Sequence, residues 1–88
     1  MTYEVEITPE GLRHLNRLPG KVRAAVIEAI FGSIAENPQR AGKPLRAELE
    51  GLYSAGRGEF RVIYEIDETA GLVLVHRAKH RRSAYRRQ

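Results

Sequence analysis

Apolar and polar residues alternate at the start of the chain. Tyr3, Val5 and Ile7 are separated by Glu4 and Glu6, the period-two pattern of a half-buried strand. The pattern changes at Thr8-Pro9-Glu10. Thr8 reads as an N-cap, Pro9 as the first helical residue, and Glu10 as an acid on the positive end of the dipole. Leu12, Leu15 and Leu18 give this helix one apolar stripe, and Pro19-Gly20 ends it. A second helix is predicted over about 21–37. Val22, Val26, Ala29 and Ile30 form one of its stripes; Ile27, Phe31 and Ile34 form another. Two stripes imply two packing partners, the first helix and a sheet. Any apolar face left over would dock a partner helix.

Asn37-Pro38 ends the second helix, and 38–44 reads as a loop. Strand signals follow: a short strand at 52–55, a turn at Gly56-Arg57-Gly58, a strong strand at 59–66, a turn at 67–71 and a returning strand at 72–79. Strands this close in sequence pair as antiparallel hairpins. The predicted architecture is one α+β domain over residues 1–88: an N-terminal strand, then a helical hairpin packed on an antiparallel sheet of about four strands. A basic tail or short helix closes it. Parity puts Phe60, Val62, Tyr64 and Ile66 on one face of the strong strand and Arg61, Ile63 and Glu65 on the other. Helices over the Phe60 face leave Arg61 on the open face. The last strand is apolar on both faces early and polar on both late, so it starts buried and ends at a basic rim.

Charge sharpens this picture. The chain has 88 residues, 42% of them hydrophobic, and a net charge of +4. The last thirteen residues hold six of the fifteen Lys and Arg and none of the eleven acids. The first 75 therefore carry nine bases against eleven acids, formally −2, and the tail +6. A cluster this dense suits a polyanion. There is no cysteine, which excludes a disulfide framework and thiolate chemistry and fits a reducing cytoplasm. The N-terminus has neither the basic nor the apolar region of a signal peptide, and no apolar stretch spans a bilayer.

The side chains narrow the chemistry. His76 and His80 are four apart, but no carboxylate completes a ligand set, so neither a metal nor a cofactor site is predicted. No nucleophile elbow supports triad hydrolysis, and Gly56-Arg57-Gly58 is a turn rather than a phosphate loop. RNA cleavage asks less, because the 2′-hydroxyl is itself the nucleophile. The protein must align it, remove its proton, stabilise the added negative charge and protonate the leaving oxygen. Arg61, His80, Arg81 and Tyr85 supply those chemical types. Arg57, Arg77, Lys79, Arg82, Arg86 and Arg87 are candidate phosphate contacts. Each has a plainer reading: Arg61 as a solvated strand charge, His80 as a surface or capping residue, Tyr85 as an anchor for the tail, and Arg82, Arg86 and Arg87 as solvated charge.

The chain resembles the RelE/ParE superfamily of bacterial toxins. The resemblance rests on the ordered set of a short first strand, a Leu-rich helical hairpin, Asn37-Pro38 with Gly42-Lys43-Pro44-Leu45, Glu48-Leu49-Glu50-Gly51-Leu52-Tyr53-Ser54, Gly58-Glu59-Phe60-Arg61-Val62-Ile63-Tyr64-Glu65-Ile66, and His80-Arg81-Arg82-Ser83-Ala84-Tyr85. In its RelE branch it implies metal-independent cleavage of mRNA in the ribosomal A site. It implies as partners a small antitoxin, the ribosome with its mRNA, and operator DNA through the antitoxin complex, all cytoplasmic. By position, Arg61 matches the arginine at the scissile phosphate, Arg81 the later arginine with His80 beside it, and Tyr85 the C-terminal tyrosine. Leu52 and Ser54 stand where some members carry lysines, and Gly56 where relatives often carry arginine. The ParE branch implies gyrase inhibition instead, and a non-catalytic nucleic-acid-binding relative is the third reading.

Overall fold

The computed structural model describes residues 2–86. The chain runs β1 (Glu4–Ile7), α1 (Pro9–Arg17), α2 (Gly20–Ala29) with a π turn at Ile30–Ile34, α3 (Pro38–Ala41), β2 (Lys43–Pro44), a 3-10 turn at Ala47–Leu49, then β3 (Leu52–Arg57), β4 (Phe60–Asp67) and β5 (Leu72–His80). The five strands form one sheet in the order β1-β5-β4-β3-β2.

Local chemistry sets the helical hairpin. The Thr8 hydroxyl accepts the Gly11 N–H at 3.0 Å, as its N-cap position predicts, and Pro9 follows in the first turn. At the other end of α1, Arg23 reaches back from α2. Its Nε donates to the Leu15 carbonyl and its Nη2 to the Leu18 carbonyl, both at 3.0 Å, closing groups a helix end leaves open. Leu15 and Leu18 are buried as expected; Leu12 is exposed, and Gly11 and His14 complete the buried face instead.

In α2 the stripe Val26, Ile30, Ile34 is fully buried. An α-helix carries a residue four positions on roughly 40° further round. The wider π turn over Ile30–Ile34 offsets that drift and keeps the three in line. They pack on Val62, Tyr64, Val73 and Val75, the inner face of the sheet. The second predicted stripe does not find a partner beyond Ile34: Ile27 and Phe31 stay exposed.

Three sheet features depart from the expectation. The sheet has five strands, because Lys43–Pro44, read as loop, pairs antiparallel with Tyr53 and Ser54. Proline is tolerated there because the strand is at the edge. The sheet is mixed rather than antiparallel, since β1 pairs parallel with β5, Val5 opposite Val73 and Ile7 opposite Val75. This contact joins the two ends of the chain, and no turn signature announces such a pairing. Finally, β5 contains a bulge: Tyr64 pairs with Val75 but Ile63 with Arg77, leaving His76 unpaired in the ladder. The extra residue switches parity, so Val73, Val75, Ala78 and His80 face the helices while Arg77 and Lys79 join Arg61 on the opposite face.

Where β1 stops, α1 takes over the edge of β5. A side chain at Gly11 would come 2.8 Å from the Val75 carbonyl, so only glycine allows this approach. One turn further on, His14 Nδ1 accepts the Ala78 N–H at 3.2 Å. That bond needs the neutral ring. Burial first, then the charge of Lys79, with Arg17 and Arg77 behind it, holds His14 below its ordinary value of 6.5; Glu10, 3.8 Å from Nε2, opposes them. The unfolded chain then takes up a proton before the native one does. The His14 contribution is complete above pH 6.5 and is lost as pH falls through the lowered native value. Urea midpoints measured at about pH 7.5 and about pH 5 are expected to fall with acidity, and less steeply in His14→Gln. Equal slopes in the two proteins would remove His14 as the cause.

Candidate nucleic-acid interface

Residues in register on antiparallel strands share a face. The pairs Ser54 with Ile63, Gly56 with Arg61, Arg61 with Lys79 and Ile63 with Arg77 therefore place these side chains together on the face away from the helices. A groove of about 500 Å³ opens on that face. Arg40, Lys43, Ser54, Gly56, Arg61 and Tyr85 line it with the rest of segment 41–45, and among the described residues no carboxylate does.

Arg61 is half-buried at its floor. Nη1 donates to the carbonyls of Gly58 at 3.0 Å and Phe60 at 2.9 Å. Nε and Nη2 have no protein partner among the described residues. The guanidinium rests against Gly56, where a Cβ would come 3.0 Å from Nη1 and 3.2 Å from Cζ. Gly56 thus makes room for Arg61. Across the groove, the Tyr85 hydroxyl and Ser54 Oγ are 2.8 Å apart.

The tail reaches this position by a tight turn. The Arg81 N–H donates to the Glu59 carbonyl at 2.8 Å, one step beyond the β4–β5 ladder. The N–H groups of Ser83 and Ala84 both donate to the His80 carbonyl, at 2.9 and 3.0 Å. Arg77 Nη1 then donates to the carbonyls of Ala84 at 2.9 Å and Arg86 at 2.7 Å. Ser54 and Arg77, the two neighbours of Ile63 in the sheet, are both bonded to the tail. The segment therefore lies across Ile63, and Ile63 and Ala84 are each fully buried outside the main core.

Of the sequence-predicted residues, the structure brings Arg61 and Tyr85 into one groove, with Lys79 in register beside Arg61. Arg81, Arg82 and Arg86 are exposed on the turn and tail. Arg87 lies outside the described residues. Three placements differ from expectation. His80 faces the helices: Nε2 is 3.0 Å from Glu59 Oε1, Nδ1 accepts the Arg82 N–H, and the ring packs edge-on against Phe60. Arg57 shares that side, paired with Glu28 at 3.2 Å. The two border a separate cavity of about 400 Å³ against α2. Arg77, expected at a phosphate, is only 8% exposed, and its Nη1 is engaged by the tail. The sequence reading missed Arg40, Lys43 and Ser54. Lys43 was hidden because a two-residue edge strand has no readable period, and only its register with Ser54 puts it at the groove.

A helical hairpin on one face of a mixed five-stranded sheet is a fold this chain shares with solved RelE structures. The structure matches the toxin–antitoxin complex RelBE2 of Mycobacterium tuberculosis with a TM-score of 0.88 and 42% identity, covering 91% of this chain and 92% of that one. The Escherichia coli RelBE complex shares the fold, with a TM-score of 0.75 at 20% identity over 89% of this chain and 95% of that one. Residues 5–85 match the family of ParE toxins of type II toxin–antitoxin systems, parDE, and the chain belongs to that family. Among curated relatives, the toxin RelE of Mycobacterium tuberculosis is 48% identical over 84 residues, 96% of this chain and 87% of that protein. The toxin RelG of the same organism is 45% identical over 87 residues, 99% of this chain and all of that one.

Proposed function

We propose that this toxin is a metal-independent endoribonuclease that cleaves mRNA in the ribosomal A site and so stops translation. One observation carries the reading: Arg61 and the Tyr85 hydroxyl line a single groove whose other charged groups, Arg40 and Lys43, are cations. Such a groove favours a phosphodiester and gains most as negative charge builds on it. In this reading the free Arg61 donors face the scissile phosphate, and Arg40 and Lys43 hold its flanking neighbours. The 2′-hydroxyl gives up its proton as its oxygen attacks phosphorus; one P–O bond forms, the bond to the 5′-oxygen breaks, and that oxygen takes up a proton, leaving a 2′,3′-cyclic phosphate and a 5′-hydroxyl. Tyr85, oriented by Ser54, serves the proton transfer, and exposed Arg81 adds charge at the rim. His80 acts through the turn: its Nδ1 fixes the Arg82 N–H and with it the position of Arg81.

The partners in this reading are the ribosome with its mRNA and a cognate RelB-like antitoxin, through whose complex the toxin reaches operator DNA. Primer extension on an mRNA in a reconstituted translation reaction tests it. Cuts at A-site codons that require ribosomes are expected. They should disappear in Arg81→Ala with antitoxin binding retained. Intact mRNA in the presence of folded toxin would overturn the reading. The parDE family assignment supports a second one, inhibition of DNA gyrase. A supercoiling assay separates it, since loss of supercoiling without mRNA cuts is its signature.

A further inference from the structure

Arg77 is a buried cation with no carboxylate partner among the described residues. Its bonds among the described residues are from one nitrogen to two backbone carbonyls, those of Ala84 and Arg86. Burying a guanidinium costs free energy that carbonyl dipoles repay only in part. An apolar side chain would cover Ile63 without that cost, so cover alone does not account for a charge at this position. What the guanidinium adds is geometric. The two carbonyls flank residue 85 on either side, and holding both fixes the backbone from which Tyr85 projects. The tyrosine hydroxyl is then placed at 2.8 Å from Ser54 Oγ, in the groove with Arg61.

We propose that Arg77 is a positioning residue: through the carbonyls of Ala84 and Arg86 it sets the Tyr85 hydroxyl over the groove. Its consequence for catalysis rests on the ribonuclease reading above; its consequence for Tyr85 does not. The side chain does not touch RNA in this arrangement, which distinguishes it from Arg61 and from the exposed tail arginines. Lysine, with three donors on one nitrogen, can reach the same carbonyls, whereas methionine keeps the length and offers no donor.

The experiment uses the full chain labelled with 3-fluorotyrosine. It has four tyrosines, hence four fluorine resonances, and Tyr85→Phe assigns one of them. In Arg77→Met the Tyr85 resonance is expected to move to its value in denatured protein while those of Tyr3, Tyr53 and Tyr64 stay. Arg77→Lys is expected to restore most of the native shift. On ribosome-bound mRNA, Arg77→Met should lower kcat about 10²-fold with KM nearly unchanged, the cost of a misplaced reacting group. The double variant Arg77→Met/Tyr85→Phe should then lose little more than Tyr85→Phe alone. A Tyr85 resonance unmoved by Arg77→Met overturns the proposal, and so do multiplicative losses in the double variant. If Arg77→Met does not fold, Arg77→Gln and Arg77→Lys carry the same measurement. A wild-type chain that cuts no RNA, yet whose Tyr85 resonance depends on Arg77, supports the positioning role and overturns the ribonuclease reading alone.

Discussion

Replacing Arg61 by alanine is expected to lower mRNA cleavage by about 10²–10³-fold, the usual cost of removing one preorganised donor from a developing negative charge. The arginine is suited to that task because it is held before substrate arrives. Nη1 is fixed by the Gly58 and Phe60 carbonyls, while Nε and Nη2 have no protein partner among the described residues. Little reorganisation remains to oppose the reaction. The same bonds contribute little to folding. They are partly exposed, and hydrogen bonds of this kind contribute about 1 kcal/mol. Activity and stability should therefore separate. Single-turnover cleavage on programmed ribosomes should collapse, while the melting temperature of Arg61→Ala moves by no more than about 8 °C. Arg61→Lys should recover only part of the rate, because an ammonium lacks the planar fork that grips two phosphate oxygens. Cleavage by Arg61→Ala within twofold of the parent chain would remove Arg61 from the chemistry.

The elements that local chemistry dictates were legible in the sequence. Thr8-Pro9 marks the start of α1 in both readings, and the parity of β4 correctly put Arg61 opposite the helices. The residues that escaped are those placed by non-local pairing. Nothing near Glu4–Ile7 indicates that its neighbour is β5 rather than another strand. The bulge at His76 changes which face Arg77 and Lys79 occupy, and a strand read with an unbroken period of two cannot register an inserted residue. The tail shows the same limit. Its charge density was plain, but charge does not say which arginines meet solvent. Arg77 carries the same group as Arg81, yet one lies under the tail and the other on it. The plainer reading of Tyr85, an anchor for the tail, was legible: its hydroxyl lies 2.8 Å from Ser54 Oγ, and it lines the groove with Arg61.

The largest effect on stability is expected not from a core side chain but from adding one methyl group at Gly42. The backbone there is extended, with φ −131°, so an alanine meets no conformational penalty. The cost is steric. A Cβ at residue 42 would collide with the Tyr64 hydroxyl and come 2.8 Å from the Ser54 carbonyl. Neither can easily withdraw. Ser54 lies in the β2–β3–β4 ladder, and Tyr64 is fully buried, its hydroxyl donating to the Pro38 carbonyl at 2.7 Å. Burial pushes that phenol up to about 12, with Tyr53 adding to the shift, so it remains a donor at any ordinary pH. Overpacking costs about 1–3 kcal/mol and a buried hydrogen bond lost with its acceptor unsatisfied about 1–3 more. Gly42→Ala is thus expected to destabilise the chain by about 2–6 kcal/mol and lower its melting temperature by more than about 8 °C. Because part of the clash is with a single oxygen, Tyr64→Phe should relieve some of it. The double variant Gly42→Ala/Tyr64→Phe is expected to lose less than the two single losses combined, by at least about 0.5 kcal/mol. Thermal and urea unfolding of the four proteins measures both quantities. Strict additivity would mean that the Ser54 backbone alone excludes the methyl group. A melting temperature unchanged in Gly42→Ala would mean that segment 40–45, which lines the groove, can shift outward at little cost, and that the position of Lys43 in the groove is adjustable rather than fixed.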